Sequence, residues 1–287
     1  ASDVYKRQGI DIALFAGGSI SKDFAPHAVK AGAVVIDNSS AFRMDPEVPL
    51  VVPEVNPQAI LKHKGIIANP NCSTIIMVMA LKPIYDLAKI KRVIVSTYQA
   101  VSGAGKEGID ELDAQVREHS EGREMTANIL PSASAEKHYP IAFNLIPQID
   151  VFCDNLYTKE EMKMVNETKK IMEDYEMRIT ATTIRVPVYR SHSESVNIEL
   201  EKEVDLGAMR EALAKFPGVT VQDDPSKQEY PMPLYTSEKD DVYVGRLRRD
   251  ESCEKSYNMW VVGDQIRKGA ALNTLQIAET MIKNGWI

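Results

Sequence analysis

The stretch Ile10-Asp11-Ile12-Ala13-Leu14-Phe15-Ala16-Gly17-Gly18-Ser19 runs as an apolar strand into a glycine turn. Ser21 to Ala31 follows with helical spacing, and Gly32 closes it before a second apolar run, Ala33-Val34-Val35-Ile36-Asp37. Near-continuous apolar strands joined through a short helix are the mark of a parallel βαβ unit, whose strands are covered on both faces. Working outward, Leu50-Val51-Val52-Pro53 and Ile66-Ile67-Ala68 read as two more short strands. At Asn69-Pro70-Asn71-Cys72-Ser73-Thr74 the pattern changes, because Ile75 to Ala88 has helical periodicity without glycine, and Asn71, Ser73 and Thr74 are helix-capping residues. Cys72 therefore falls on a strand-to-helix turn. Further on, the pattern predicts a strand over 92–97, a Gly-containing turn at Ser102-Gly103-Ala104-Gly105, an acidic helix over 106–120 and a long irregular loop over 121–139. It then predicts a helix from the capping box Thr158-x-x-Glu161 to about Tyr175, strands over 179–188 and 196–203, and a last helix over 270–283.

At 287 residues the chain has room for one large domain or two ordinary ones. Its composition, 44% hydrophobic and 26% charged, is that of a globular protein. A net charge of −7 argues against a nucleic-acid partner, since phosphate binding needs a basic face. The longest apolar run, Ile75 to Leu81, is far short of the roughly 20 residues that span a bilayer, so no membrane partner is expected. Three widely spaced cysteines, Cys72, Cys153 and Cys253, form neither a disulfide framework nor a metal site, and the cytoplasm is the expected compartment. Ala1 to Gln8 is a charged, patternless octapeptide that reads as a leader foreign to the strand it precedes.

Cys72 is the sharpest chemical feature. A thiol in the first turn of a helix feels the positive end of the macrodipole, which is expected to lower its pKa, and nearby N–H groups with the Asn71 amide can form an oxyanion site. The alternative is an inert buried cysteine acting as a small hydrophobe. Among five histidines, His192 stands out in Arg185-Val186-Pro187-Val188-Tyr189-Arg190-Ser191-His192, where it is expected between two strands with an accessible imidazole. Arg185 on an apolar strand needs an anionic partner, either a structural carboxylate or a substrate carboxylate. Gln99 is a positioning candidate or a simple turn residue. Glu167 and Lys170 can be a solvated i, i+3 pair. No G-x-G-x-x-G fingerprint follows the first strand.

Together, Asn69 to Ile75, Ser96 to Gly105, Asn144-Leu145-Ile146-Pro147-Gln148-Ile149, Arg185 to Val196 and Gly263 to Asn273 closely resemble aspartate-β-semialdehyde dehydrogenase. That family reduces L-aspartyl-4-phosphate with NADPH to L-aspartate-4-semialdehyde and phosphate, towards lysine, diaminopimelate, threonine and methionine. The resemblance implies that Cys72 is the nucleophile of a thioacyl intermediate, His192 the general acid/base and Gln99 the substrate-orienting glutamine. It further implies Arg185 on the substrate α-carboxylate and Glu167 on its ammonium. Arg43, Asn71 and Lys170 would form the acyl-phosphate site, with Lys169 an almost equal match for the lysine. Ser102, Gly103, Asn273, Gly17 and Gly18 would contact NADP.

The implied fold class is α/β: a partial Rossmann-type dinucleotide-binding domain over 9–72 plus 266–287, and an α+β catalytic and dimerisation domain with a mixed sheet over 73–265. Family members begin with a strand, glycine turn, helix and strand of about 60 residues ahead of the position of Gly9, so this chain is expected to bind NADPH poorly and turn over slowly. A homodimer is implied. Three rival readings remain: an N-acetyl-glutamyl-phosphate reductase, whose substrate carries no free ammonium; a catalytically dead dimerising partner; and a Cys/His hydrolase, for which no third orienting group is evident.

Overall fold

The computed structural model describes residues 9–287; Ala1 to Gln8, with the expectation attached to them, lie outside the described residues. The chain runs through β1 (Ile12–Phe15), α1 (Ser21–Lys30), β2 (Val34–Asp37), β3 (Ile66–Ala68), α2 (Cys72–Leu87), β4 (Ile90–Gln99), α3 (Lys106–Ser120) and α4 (Lys159–Met172). It continues through β5 (Arg178–Arg185), β6 (His192–Leu200), α5 (Leu206–Lys215), β7 (Val219–Val221), α6 (Pro233–Thr236), β8 (Val242–Arg249), β9 (Ser256–Gly263) and α7 (Leu272–Lys283).

Two sheets organise these elements. The first is parallel, ordered β1-β2-β3, with Ile12 opposite Val34 and Ile36 opposite Ile67. Ala25 and Ala28 of α1 pack on Val35 at one face. At the other, Ile277 and Met281 of α7 join Ile36, Ile60 and Ile67. The run Leu50 to Pro53 does not become a strand; only Leu50 forms a bridge, to Ala68. The second sheet is mixed, ordered β5-β4-β6-β9-β8-β7, with β4 parallel to β5, β7 parallel to β8, and the other neighbours antiparallel.

Helix α2 is the hub between them. Every residue from Ser73 to Leu81 is buried, so this part of the helix has no polar face and is wrapped on all sides. Val93 and Val95 of β4, Val196 and Ile198 of β6, Met259 and Val261 of β9, Met164 of α4 and Met209 of α5 share its core. Its first turn is capped by Asn71, whose side chain accepts from the Thr74 N–H at 3.2 Å. Strand β5 stops at Arg185, two residues ahead of Pro187, which has no N–H to give a ladder. β6 starts at His192, earlier than its apolar pattern indicates, and a π-helical turn over Arg267–Ala271 precedes α7. The irregular segment after α3 is tied down, because Gln115 accepts from the Ile141 and Ala142 N–H groups at 2.8 and 3.0 Å and donates to the Thr126 carbonyl.

Leu81→Ala leaves a cavity in the wrapped hub and is expected to cost about 3 kcal/mol in denaturant unfolding, against roughly 0.5 kcal/mol or less for Leu61→Ala, which is 57% exposed.

Candidate active site

Gln99 and Arg185 end two adjacent parallel strands and sit directly opposite each other. His192 begins β6 on the other side of β4. The residue after Gln99 grips both functional side chains: the Ala100 N–H donates to His192 Nδ1 at 3.1 Å, and its carbonyl accepts from Arg185 Nη1 at 2.7 Å. With Nδ1 accepting, the neutral imidazole carries its proton on Nε2, which has no partner among the described residues. Burial, then the neighbouring Arg185 charge, hold the His192 pKa well below its ordinary value. His192 is thus fully buried, a correction to the accessible imidazole expected between strands. The ladder draws it in as the first residue of β6. Arg185 likewise keeps a buried, unpartnered Nε–H, and Gly103 leaves room for both groups. A Cβ at Gly103 would lie 2.7 Å from Arg185 Nη1 and 3.3 Å from His192 Nε2.

Cys72 opens α2 and is half-buried. Its thiol pKa is pushed up to about 12 by burial first and the Glu160 carboxylate second, against the opposing pull of Arg43, the Ser73 N–H and Arg185. This overturns the lowered pKa expected from helix position, since in this pocket desolvation and a like charge outweigh the dipole. Gly269 lets the π-helical turn close over the thiol, where a Cβ would come 3.0 Å from that of Cys72.

Four charged residues, Glu160, Lys163, Glu167 and Lys170, recur at i, i+3, i+7 and i+10 along one face of α4. Glu160 Oε1 accepts from Asn71 Nδ2 at 2.9 Å and Gln99 Nε2 at 3.3 Å, and Lys163 donates to Oε2 at 3.1 Å and to Asp150 at 3.0 Å. Burial works against the ionised Glu160, yet Lys163 and the bonds from Asn71 and Gln99 hold its pKa below the usual range. Glu167 is turned to the backbone: it accepts from the Asn71 N–H at 2.6 Å and Arg43 at 3.3 Å, and burial raises its pKa against both. Arg43 also donates to the Asn69 and Asn38 carbonyls at 2.9 and 3.1 Å. One N–H remains on each of its terminal nitrogens.

The expected site is therefore partly reassigned. Cys72, Asn71, Gln99, Arg185, His192 and Gly103 gather in one pocket, and Arg43 joins them through Glu167 and the Asn71 turn. Glu167 is occupied by Arg43 and Asn71, while Glu160 is the carboxylate that faces Gln99, Cys72 and Arg185. Lys170 spends its three N–H groups on the carbonyls of Arg43, Asp45 and Val48, and Lys163 is the lysine beside Glu160. Lys169, one position off the α4 stripe, does not share that face. The sequence carried a signal for Glu160 and Lys163: the same Glu-x-x-Lys spacing as Glu167 and Lys170, one heptad earlier on the same stripe.

Gly17 and Gly18 form the turn after β1, at the carboxyl end of the parallel strands where dinucleotides bind, and Gly18 has φ of +63° with open space around its Cα. Ser102 meets Gln265, which also accepts from the Ser191 N–H at 2.9 Å and so steadies the residue before His192. Asn273 gives both amide hydrogens to the Val51 carbonyl and Asn69 Oδ1 and receives Lys268, so its side chain has no donor left for a cofactor. Among the described residues no group of three or more His, Cys, Asp or Glu is placed to hold a metal.

The fold and this Cys/His/Arg pocket define a nicotinamide-dependent semialdehyde dehydrogenase: the family described as "Semialdehyde dehydrogenase, dimerisation domain" matches residues 81–268, and "Semialdehyde dehydrogenase, NAD binding domain" matches 2–63. The second match starts at residue 2, ahead of Gly9. The chain is 58% identical to aspartate-semialdehyde dehydrogenase of Aquifex aeolicus, covering 98% of this chain and 82% of that protein. It is 54% identical to that of Bacillus subtilis, covering 96% and 80%. Aspartate semialdehyde dehydrogenase II of Vibrio cholerae complexed with ASA superposes with a TM-score of 0.89 at 47% identity, covering 95% and 80%. The enzyme of Candida albicans with NADP shares the fold, with a TM-score of 0.73 at 24% identity, covering 96% and 78%. The chain belongs to the aspartate-semialdehyde dehydrogenase family.

Removing the Glu160 charge lowers the Cys72 pKa, so Glu160→Gln is expected to speed alkylation of Cys72 by iodoacetamide several-fold at neutral pH, as read by peptide mass spectrometry. Glu194, two residues after His192 on β6 and so on the same face, is buried with neither oxygen partnered, and burial raises its carboxyl pKa well above the usual value. Its pKa is higher in the folded chain than in the unfolded one, so the native protein should lose stability as pH rises above the ordinary carboxylate range, until the folded carboxyl ionises. Glu194→Gln should not share that loss, and its melting temperature should pull ahead of the native protein's as pH rises.

Proposed function

We propose that the chain interconverts L-aspartyl-4-phosphate and L-aspartate-4-semialdehyde with NADP, through a thioacyl intermediate on Cys72. One observation carries this reading: His192 Nε2–H and Arg185 Nε–H are buried, unpartnered donors held by a single residue, Ala100, beside the Gly103 gap in a pocket shared with Cys72. Buried donors without partners are costly, and a substrate that accepts from both repays that cost. Arg185, with only Nη1 engaged, offers Nε and Nη2 as a fork to the α-carboxylate. Glu160, held ionised by Lys163, Asn71 and Gln99, takes the ammonium. An arriving ammonium offsets the Glu160 charge, which is the second cause after burial of the raised Cys72 pKa, and so moves the thiol towards the thiolate.

In the phosphorylating direction the Cys72 thiolate adds to the aldehyde carbon, and the carbonyl oxygen, as it takes on the negative charge, accepts a hydrogen bond from His192 Nε2–H. The carbonyl re-forms as the hydride leaves, giving the thioacyl group. Phosphate, drawn by the free N–H groups of Arg43 and Lys163, attacks the acyl carbon and releases the Cys72 thiolate. When bound, NADP accepts or supplies the hydride. The Gly17-Gly18 turn, Ser102 and Gly103 are the residues that fit it, by backbone approach and an absent Cβ.

The domain division at residues 9–72 plus 266–287 and 73–265 is supported by the two separate sheets. The chain pairs with a second copy through the face of the larger sheet opposite α2, where Tyr98 and Trp260 pack at 5.5 Å; the dimerisation-domain match supports this. The setting is cytoplasmic, in keeping with the free cysteines and with there being no helix among the described residues long and apolar enough to cross a membrane. No nucleic acid is involved.

The purified chain with L-aspartate-4-semialdehyde, NADP and inorganic phosphate should form reduced cofactor in a phosphate-dependent way, with N-acetylglutamate semialdehyde inert. Cys72→Ala should lower the rate by about 10³-fold or more. Equal turnover of both semialdehydes, or phosphate-independent turnover, would sink the proposal.

A further inference from the structure

Between β2 and β3 the segment carrying Arg43 has no strand or α-helix of its own; its main chain is held by the turns Asp45 N–H to Phe42 O and Val48 N–H to Asp45 O and by Ala68 N–H on Pro49 O, while Phe42 and Val48 anchor it to the core. Its carbonyls converge instead on one point. Lys170 Nζ donates to Arg43 O at 2.7 Å, Asp45 O at 2.7 Å and Val48 O at 2.8 Å, which saturates the ammonium. One turn earlier on the same face of α4, Glu167 takes the Arg43 guanidinium. α4 thus holds the head of Arg43 with a carboxylate and its backbone with an ammonium. Beside the segment lies a cavity of about 500 Å³ bounded by Pro46, Val48, Leu50, Lys62 and Lys170.

We infer that Lys170 is a positioning residue for phosphate: its ammonium gathers three carbonyls of residues 43–48 and thereby aims the remaining N–H groups of Arg43 at the anion. This rests on the reading of Arg43 as an anion-binding group. Without the ammonium three carbonyl dipoles face one another unscreened, and the segment relaxes outward into the cavity, taking Arg43 off its line. Lys170 itself has no N–H left for a ligand, so its effect must pass through Arg43.

The test is steady-state kinetics in the phosphorylating direction. Lys170→Met should raise the KM for phosphate about tenfold, while kcat and the KM for semialdehyde stay within about twofold, a split that general damage to the fold would not give. Arg43→Met should also raise the phosphate KM, and the double variant should be no worse than Arg43→Met, because the two act in series. Methylammonium, small enough for the cavity, should restore the phosphate KM of Lys170→Ala, whereas tetramethylammonium, which has no N–H, should not. That rescue is the deciding measurement if Lys170→Met unfolds. Additive losses in the double variant, or no rescue, would overturn the role of Lys170 while leaving Arg43 in place. An unchanged phosphate KM in Arg43→Met would overturn the anion-binding reading, and this inference with it.

Discussion

Asn71 sits between two buried carboxylates, and the rest of the pocket depends on how it divides its groups among them. Its N–H goes to Glu167, its side-chain amide to Glu160, and its side-chain oxygen to the first turn of α2. One residue thereby fixes the entry of the central helix, the docking of α4 and the orientation of the adjoining Cys72. Neither carboxylate can move without leaving a buried donor unpaired, at a cost of about 1–3 kcal/mol each. The same arrangement keeps opposite charges close: Glu160 and Glu167 are answered by Lys163 and Arg43, so the pocket carries a dense set of ions with most valences satisfied.

The exceptions are instructive. Most buried polar atoms in a folded protein find partners, and the unsatisfied ones here include donors on Arg185 and His192 in the middle of the chemistry. Ala100 supplies the geometry for both through its backbone, so the side chain at that position is free to be small. Gly103 then keeps the space in front of them open. Rigidity is concentrated in main-chain contacts, and reactivity is left to three side chains.

Much of this was legible in the sequence. The βαβ opening, the capping residues around Cys72 and the helix that follows it come from local pattern alone, and the mixed larger sheet follows from resemblance. Three things were not legible, each for a physical reason. The pKa of Cys72 depends on burial and on Glu160, which lies 88 positions along the chain and is invisible to a rule about helix ends. The burial of His192 depends on where the β6 ladder begins, which pairing with β9 decides and local propensity does not. The choice between two Glu-x-x-Lys pairs on α4 depends on which turn of that helix lies over the Cys72 turn. Both pairs have the same spacing, so only packing separates them. Strand β8 also left little local signal, as its short apolar run is interrupted by the outward-facing Arg246, Arg248 and Arg249.

The way α7 closes the first sheet bears on how the protein is made. Ile36, Ile60 and Ile67 emerge from the ribosome more than 200 residues before Ile277 and Met281, the residues that cover them. Throughout that interval one apolar face of a three-stranded sheet has no native cover. The larger sheet and its helices, whose contacts are mostly nearer in sequence, can assemble first and offer a scaffold. Until its last turns are released, the nascent chain therefore carries in its early part an apolar sheet face of the kind that favours aggregation.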